Sequence, residues 1–238
     1  MDFQNLNFQT ASARESEVSA VFPALMRKVY VWMALALAIT GFTAYIVATS
    51  PAILSVLFGN KAVFWGLLIA EFALVIGVTA AINKLSLPVA TLMFVLYSVI
   101  NGAFFSSLFL VYTTGSIATT FFITAGTFAA MSIYGYTTKS DLTSWGKLLM
   151  MALIGLIIAT VVNLFVKSGP LDMIISYVGV LIFVGLTAYD TQKIKNMCMM
   201  APDAGETMQK YALLGALSLY LDFINLFIYL LRILGRRE

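Results

Sequence analysis

The chain has 238 residues, of which 61% are hydrophobic and 11% charged, with a mean hydropathy of +0.95; a soluble domain carries about 25% charged residues, so a water-soluble globule is excluded. Histidine is absent and Cys198 is the only cysteine, which excludes an imidazole base or pH switch, a His-ligated or Cys-cluster metal site and an internal disulfide. The formal charge of +3 suits basic loops beside a membrane and gives no ground for a nucleic-acid partner.

Taken in chain order, residues 1–25 open with MDFQNLNFQTASARESEVSA, polar and mixed in charge, without the apolar core of a signal peptide. They are expected to form a disordered cytoplasmic tail, with residues 26–238 as one seven-helix transmembrane domain whose first span is the insertion signal. Windows of about 20 residues place spans at roughly 29–49, 62–82, 87–110, 117–137, 146–166, 171–192 and 211–233. Turn residues separate them: Ser50-Pro51, Gly59-Asn60, Ser86 with Pro88, Thr114-Gly115-Ser116, Ser140-Asp141 and Ser168-Gly169-Pro170. The longest connection, Asn196 to Met208, holds Pro202-Asp203-Ala204-Gly205. The terminal LGRRE matches neither a prenylation nor an ER-retrieval motif.

Lys and Arg set the orientation. Nine (Arg14, Arg27, Lys28, Lys84, Lys139, Lys147, Lys193, Lys195, Lys210) fall on the N-terminal side and five (Lys61, Lys167, Arg232, Arg236, Arg237) on the other, which predicts a cytoplasmic N-terminus. A re-entrant last segment would make the ratio twelve to two, but the length of 211–233 favours a full crossing.

Polar residues within the spans narrow the function. Glu71, mid-way along the second span, suits a hydrogen-bonded structural role as well as a place in an ion path. Asn101 and Asn163 are expected to bond between helices, and Gly126 with Ala130 to allow close packing. Asp190 ends the sixth span in LIFVGLTAYDTQKIK, with Thr187 one turn back as its expected hydrogen-bond donor. Along the seventh span, Gly215, Ser218, Asp222, Asn225, Tyr229 and Arg232 recur at spacings of three and four, a polar stripe on one helix face. Ser218, Asn225 and Gly215 alone would read as helix–helix contacts. Asp222 does not fit that reading, because an ionisable group at this depth costs roughly 2.5–3.5 kcal/mol unless it is paired or hydrated.

Consecutive helices bring Asp190 and Asp222 to the same half of one bundle. Two carboxyls within reach in a low dielectric cannot both ionise cheaply, so they titrate as a unit. Singly protonated, the pair clamps two helices; doubly ionised, it repels and attracts a hard cation such as Ca²⁺, for which Asp190 and Asp222 are the candidate metal ligands.

The segments AYDTQKIK at 188–195 and LSLYLDFINLFIYLLRILG at 217–235 resemble the Bax inhibitor-1, or transmembrane Bax inhibitor motif, family; the likeness covers about Arg27 to Arg232 and looks bacterial in type. The resemblance implies a seventh helix enclosed by the other six, with Asp190 and Asp222 as a di-aspartyl pH sensor gating a calcium leak. It also implies a basic latch near the cytoplasmic end of the second helix. That region reads Ala81-Ile82-Asn83-Lys84, so Lys84 is the candidate latch, with Arg232 the other.

The expectation is an all-α, seven-helix membrane bundle with its last helix central: a pH-sensitive calcium leak channel of the inner (cytoplasmic) membrane. It is not an enzyme, has no cofactor, passes calcium ions, and counts Glu71, Ser218, Asn225, Thr187 and Tyr229 as candidates for its ion path or second shell. Its surroundings are the lipid bilayer. The alternative is a non-enzymatic modulator of membrane protein quality control, binding a membrane protease through its tail under stress. An intramembrane aspartyl protease is disfavoured, since Leu219-Tyr220-Leu221 precedes Asp222 where that chemistry needs glycines beside the acid. A retinal protein is disfavoured because the seventh span has no interior lysine.

Overall fold

The computed structural model describes residues 3–201 and 205–236, with side chains from residue 21 onward. Eight α-helices run through the described residues: α1 (Phe3–Ala48), α2 (Pro51–Gly59), α3 (Lys61–Ala81), α4 (Leu87–Phe105), α5 (Thr114–Thr137), α6 (Thr143–Val166), α7 (Gly169–Met199) and α8 (Glu206–Leu234). A 3-10 turn, Ser106–Leu110, prolongs α4. Seven of them are long and apolar enough to cross a bilayer, α1 through its Val21–Ala48 part.

Local chemistry sets the helix ends. Asn60 closes α2 and caps α3, its Oδ1 accepting from the amides of Ala62 and Val63 at 3.0 and 3.3 Å. Thr113 caps α5 and Ser168 caps α7, while proline opens α2, α4 and α7, where no intrahelical amide is needed. At the end of α6 Lys167 turns left-handed, with φ 52°, and Asn163 Oδ1 accepts from Ser168 N–H at 3.0 Å. Asn163 is therefore a helix-end cap and not the interhelical bond expected of it: it stands in the last turn, three residues before the helix ends, and the freed amide is within its reach.

Three boundaries differ from the sequence reading. Helix α7 continues to Met199 and α8 begins at Glu206, because polar residues outside the apolar window still propagate a helix. Helix α2 was not anticipated; nine residues span about 14 Å, too short to cross. The tail expected to be disordered is instead helical from Phe3, where α1 begins, and Leu25 within it is 1% exposed. The expected turn at Pro202-Asp203-Ala204 lies outside the described residues. Helix α8 is one unbroken helix long and apolar enough to cross, without the reversal that the re-entrant alternative needs.

The last helix is the axis of the bundle. In its most apolar window 61% of residues are buried, against 6% in α3 and in α6. Its extensive contacts are with α7, α1, α5 and α4, whereas α3 rests on α4 and α6 on α7. The enclosure is thus by four helices rather than six. Leu213, Leu219, Tyr220 and Leu226 of α8 have no exposed surface. Helices α3 and α6 turn Phe72, Ile76, Ile154 and Phe165 outward; lipid tails are as apolar as these side chains, so nothing drives such helices inward. Gly126 meets no atom within 4 Å and Ala130 is exposed, so neither is the packing residue expected. Gly135 takes that part on α5, since a Cβ there would collide with the Ala188 carbonyl of α7.

Candidate functional site

Helices α7 and α8 pack along each other more extensively than any other pair, and the two sequence-predicted aspartates lie on this seam. Asp222 is 5% exposed, and its Oδ2 has no hydrogen-bond partner among the described residues. Asp190, half-buried on α7, is near enough for its charge to act on Asp222, and Lys193 one turn further along acts on Asp190 in turn. A buried carboxylate without a partner is costly, and a second like charge beside it adds to that cost. A shared proton or a bound cation offsets both.

Asp190 opens onto a cleft of about 440 Å³ between α3, α7 and α8, lined also by Thr79, Lys193, Tyr211, Gly215 and Ser218. Ser218 lies one turn before Asp222 on the same face, so the polar stripe leads from the cleft to the buried acid. Among the described residues no third acid joins the pair, which leaves carboxylate oxygens for a passing hard cation without the six to eight ligands of a tight calcium cage.

The remaining candidates are placed elsewhere. The Thr187 hydroxyl donates to the Phe183 carbonyl at 2.7 Å, the back-bond within its own helix that buried threonines make; it is not Asp190's donor. Asn225 donates to the Leu221 carbonyl at 2.8 Å, also within its helix. The Tyr229 ring stacks on Phe183 at 5.9 Å and lies 5.6 Å from the Arg232 guanidinium. Arg232 pairs with Asp172, Nη1 to Oδ1 3.4 Å, at the other end of α7. Asp172 and Asp190 are 18 residues apart, roughly 27 Å along a helix, so Arg232 cannot be the latch. Lys84 is exposed in the turn after α3 and has no ion pair among the described residues. Glu71 accepts from Asn101 Nδ2 at 2.9 Å, joining α3 to α4 as an interhelical bond away from the aspartate cleft.

Sequence reading missed the staples that hold this end of the bundle. Gln192 accepts from Leu142 N–H at 2.9 Å and donates to the Ser140 carbonyl at 2.8 Å, tying the loop before α6 to α7. Lys195 donates to the Tyr136 carbonyl at 2.7 Å. Glu206 accepts from Leu87 N–H at 3.0 Å, and Lys210 donates to the Leu85 carbonyl at the same distance. The signal was present: 192 and 195 share a helix face that continues α7 beyond its apolar window. In the adjoining loop Asp141 is held below the usual carboxylate range, chiefly by hydrogen bonds from Thr143.

A family model described as "Inhibitor of apoptosis-promoting Bax1" matches residues 23–238. The inner membrane protein YbhL of Escherichia coli is 53% identical over 215 residues, covering 90% of this chain and 92% of that protein. A protein of Borreliella burgdorferi is 47% identical over 213 residues, covering 90% and 92%. Protein RP147 of Rickettsia prowazekii is 44% identical over 215 residues, covering 90% and 89%.

Proposed function

The chain belongs to the Bax inhibitor-1 family, and we propose that Asp190 and Asp222 make it a pH-sensitive calcium leak of a bacterial inner membrane, with its N-terminus in the cytoplasm. The observation that carries this reading is the buried Asp222 carboxylate, whose Oδ2 lacks a partner, on the α7–α8 seam where Asp190 lines a cleft beside Ser218 and Leu221.

The pair acts as a charge valve. With one proton between them, the acids carry a single negative charge and α7 stays against α8. With none, two like charges at short range in a low dielectric repel, and the seam between the helices loosens. The same charges draw a cation from the cleft, and the double charge of Ca²⁺ neutralises them on carboxylate oxygens. Lys193, beside Asp190, competes with the incoming ion, and Ser218 offers a neutral oxygen on the way. The protein moves an ion and catalyses no reaction.

Purified protein in liposomes should release trapped Ca²⁺ with a clear pH dependence. Asp190→Asn and Asp222→Asn should each flatten that profile. Three superimposable profiles would remove the pair from the mechanism.

A further inference from the structure

Helices α1 and α5 both pack on the central α8, yet they make little contact with each other. Phe22 stacks on Tyr136 at 6.1 Å where the two helices meet, and beyond that stack a seam stays open between them. Two cavities lie along it. The wider, about 320 Å³, is lined by Tyr30 of α1 and by Ala129, Ser132 and Tyr136 of α5. The narrower, about 90 Å³, lies between Leu37 and Gly41 of α1 and Ile117 and Phe121 of α5, with Phe223 and Phe227 of α8 as its floor. One face of each flanking helix serves both. Tyr30, Ala34, Leu37 and Gly41 follow at spacings of four, three and four on α1; Phe121, Ala125, Ala129, Ser132 and Tyr136 follow at four, four, three and four on α5. The two cavities are thus the ends of one groove, with small residues on both walls between them.

The ends differ in chemistry. At the wide end Ser132 is 5% exposed and accepts from the Thr191 hydroxyl at 3.4 Å, so its own proton is left for a ligand. Lys195 Nζ donates to the Tyr136 carbonyl at 2.7 Å and lies 5.2 Å from the centre of the Tyr136 ring, which fixes a positive charge beside the cavity. At the narrow end the lining is apolar except for the Thr40 hydroxyl, which donates to the Ser98 carbonyl at 3.0 Å and accepts from Tyr220 at 2.7 Å. Both bonds of that hydroxyl are made, so water finds no partner there.

We propose that this groove holds the acyl chain of one phospholipid, its ester beside Ser132, its phosphate towards Lys195 and its chain running to Phe121. Length agrees with that direction. Eleven residues of α5 separate Ser132 from Phe121, roughly 16 Å of helix, and one leaflet of a hydrocarbon core is about 15 Å thick. A dry crevice open to the bilayer gains dispersion contacts only from hydrocarbon. A helix of a second copy, about 10 Å across, is too thick for the narrow end, whereas an acyl chain is a single file of methylenes. Seated there, the chain bridges α1 and α5 across the open side of α8. The site is separate from the aspartate cleft between α3, α7 and α8 and does not rest on the proposed leak.

The test is photo-crosslinking of the intact protein in phosphatidylcholine nanodiscs doped with a phosphatidylcholine that carries a diazirine at its chain end, mapped by peptide mass spectrometry. In wild type, labelling of residues 37–41 and 117–121 should saturate as the labelled lipid increases, whereas labelling of the lipid-facing Ile154 of α6 should rise in proportion. A Cβ at Gly41 meets no atom within 4 Å, so Gly41→Phe plugs the groove without a clash at its root. Labelling there should then fall to the Ile154 level, with the melting temperature kept. If Gly41→Phe fails to fold, Gly41→Leu should show the same loss. Proportional labelling of the groove in wild type, or undiminished labelling in a folded plugged variant, would overturn the proposal. Cross-links between two copies through the groove would also overturn it, by assigning the seam to a second chain. A calcium flux without pH response, with the groove labelled as expected, would instead fault the proposed leak and spare this site.

Discussion

Tyr220 and Asp222 are two residues apart on the same helix, each 5% exposed or less, yet the bundle treats them in opposite ways. The Tyr220 hydroxyl is passed to Thr40 and from there to Ser98, and two aromatic rings, Phe94 and Tyr97, lie edge-on to its own at 5.8 Å. Asp222 has an oxygen with no partner and a second acid for a neighbour. A polar group whose bonds are all made holds helices together and has nothing left to offer a ligand. One left short is a cost to the fold, which the protein keeps where the deficit is used. The two faces of α8 thus separate what fixes the bundle from what can change within it.

Substitutions should pull the two faces further apart. The largest effect is expected from Tyr220→Ala, which empties a fully buried site and orphans Thr40; about 3–5 kcal/mol of stability should be lost, read as a fall in the melting temperature of the detergent-solubilised protein. Asp222→Asn should contrast with it. Replacing one of two like acids by a neutral amide of the same shape should leave stability unchanged or slightly higher, while flux loses its response to pH. A strongly destabilised Asp222→Asn would mean that the carboxylate is a structural brace, and the contrast would fail.

Smaller effects test the periphery. Arg232→Gln breaks the half-exposed pair with Asp172 and should cost at most about 1 kcal/mol, with the flux profile intact because the pair lies at the far end of α7. The smallest change belongs to Asp141→Asn. Asp141 ordinarily titrates at 3.8 and is held lower in the folded protein, mainly by Thr143. A lowered folded value stabilises above the unfolded value and is lost as pH falls through the folded one. Asn still accepts from the Thr143 amide through its own side-chain oxygen, so wild type should be slightly the more stable near neutrality, and the difference should vanish in strong acid. Melting curves of both proteins across that range decide it.

Both aspartates were legible because charge is so rare in these spans that each one marks itself. What each polar side chain bonds to was not legible. Thr187 lies within a turn of Asp190 yet turns to its own backbone, since a carbonyl four residues back is always within reach of a helical threonine. Arg232 continues the stripe of Asp222 but finds Asp172, which 60 residues of chain separate from it. Asn163 was expected between helices and instead closes one.

The amino-acid order by itself determined the number of crossings, their approximate limits and the two aspartates on neighbouring helices, because hydropathy sums locally and 20 residues suffice to register it. Only the tertiary structure decided which helices surround α8, that α3 and α6 lie outside, and that Tyr220 is satisfied while Asp222 is not. In a bilayer every helix face can be equally oily, so the lateral arrangement carries no hydropathy signal. It is set by close packing at residues such as Gly135 and by hydrogen bonds between distant parts of the chain.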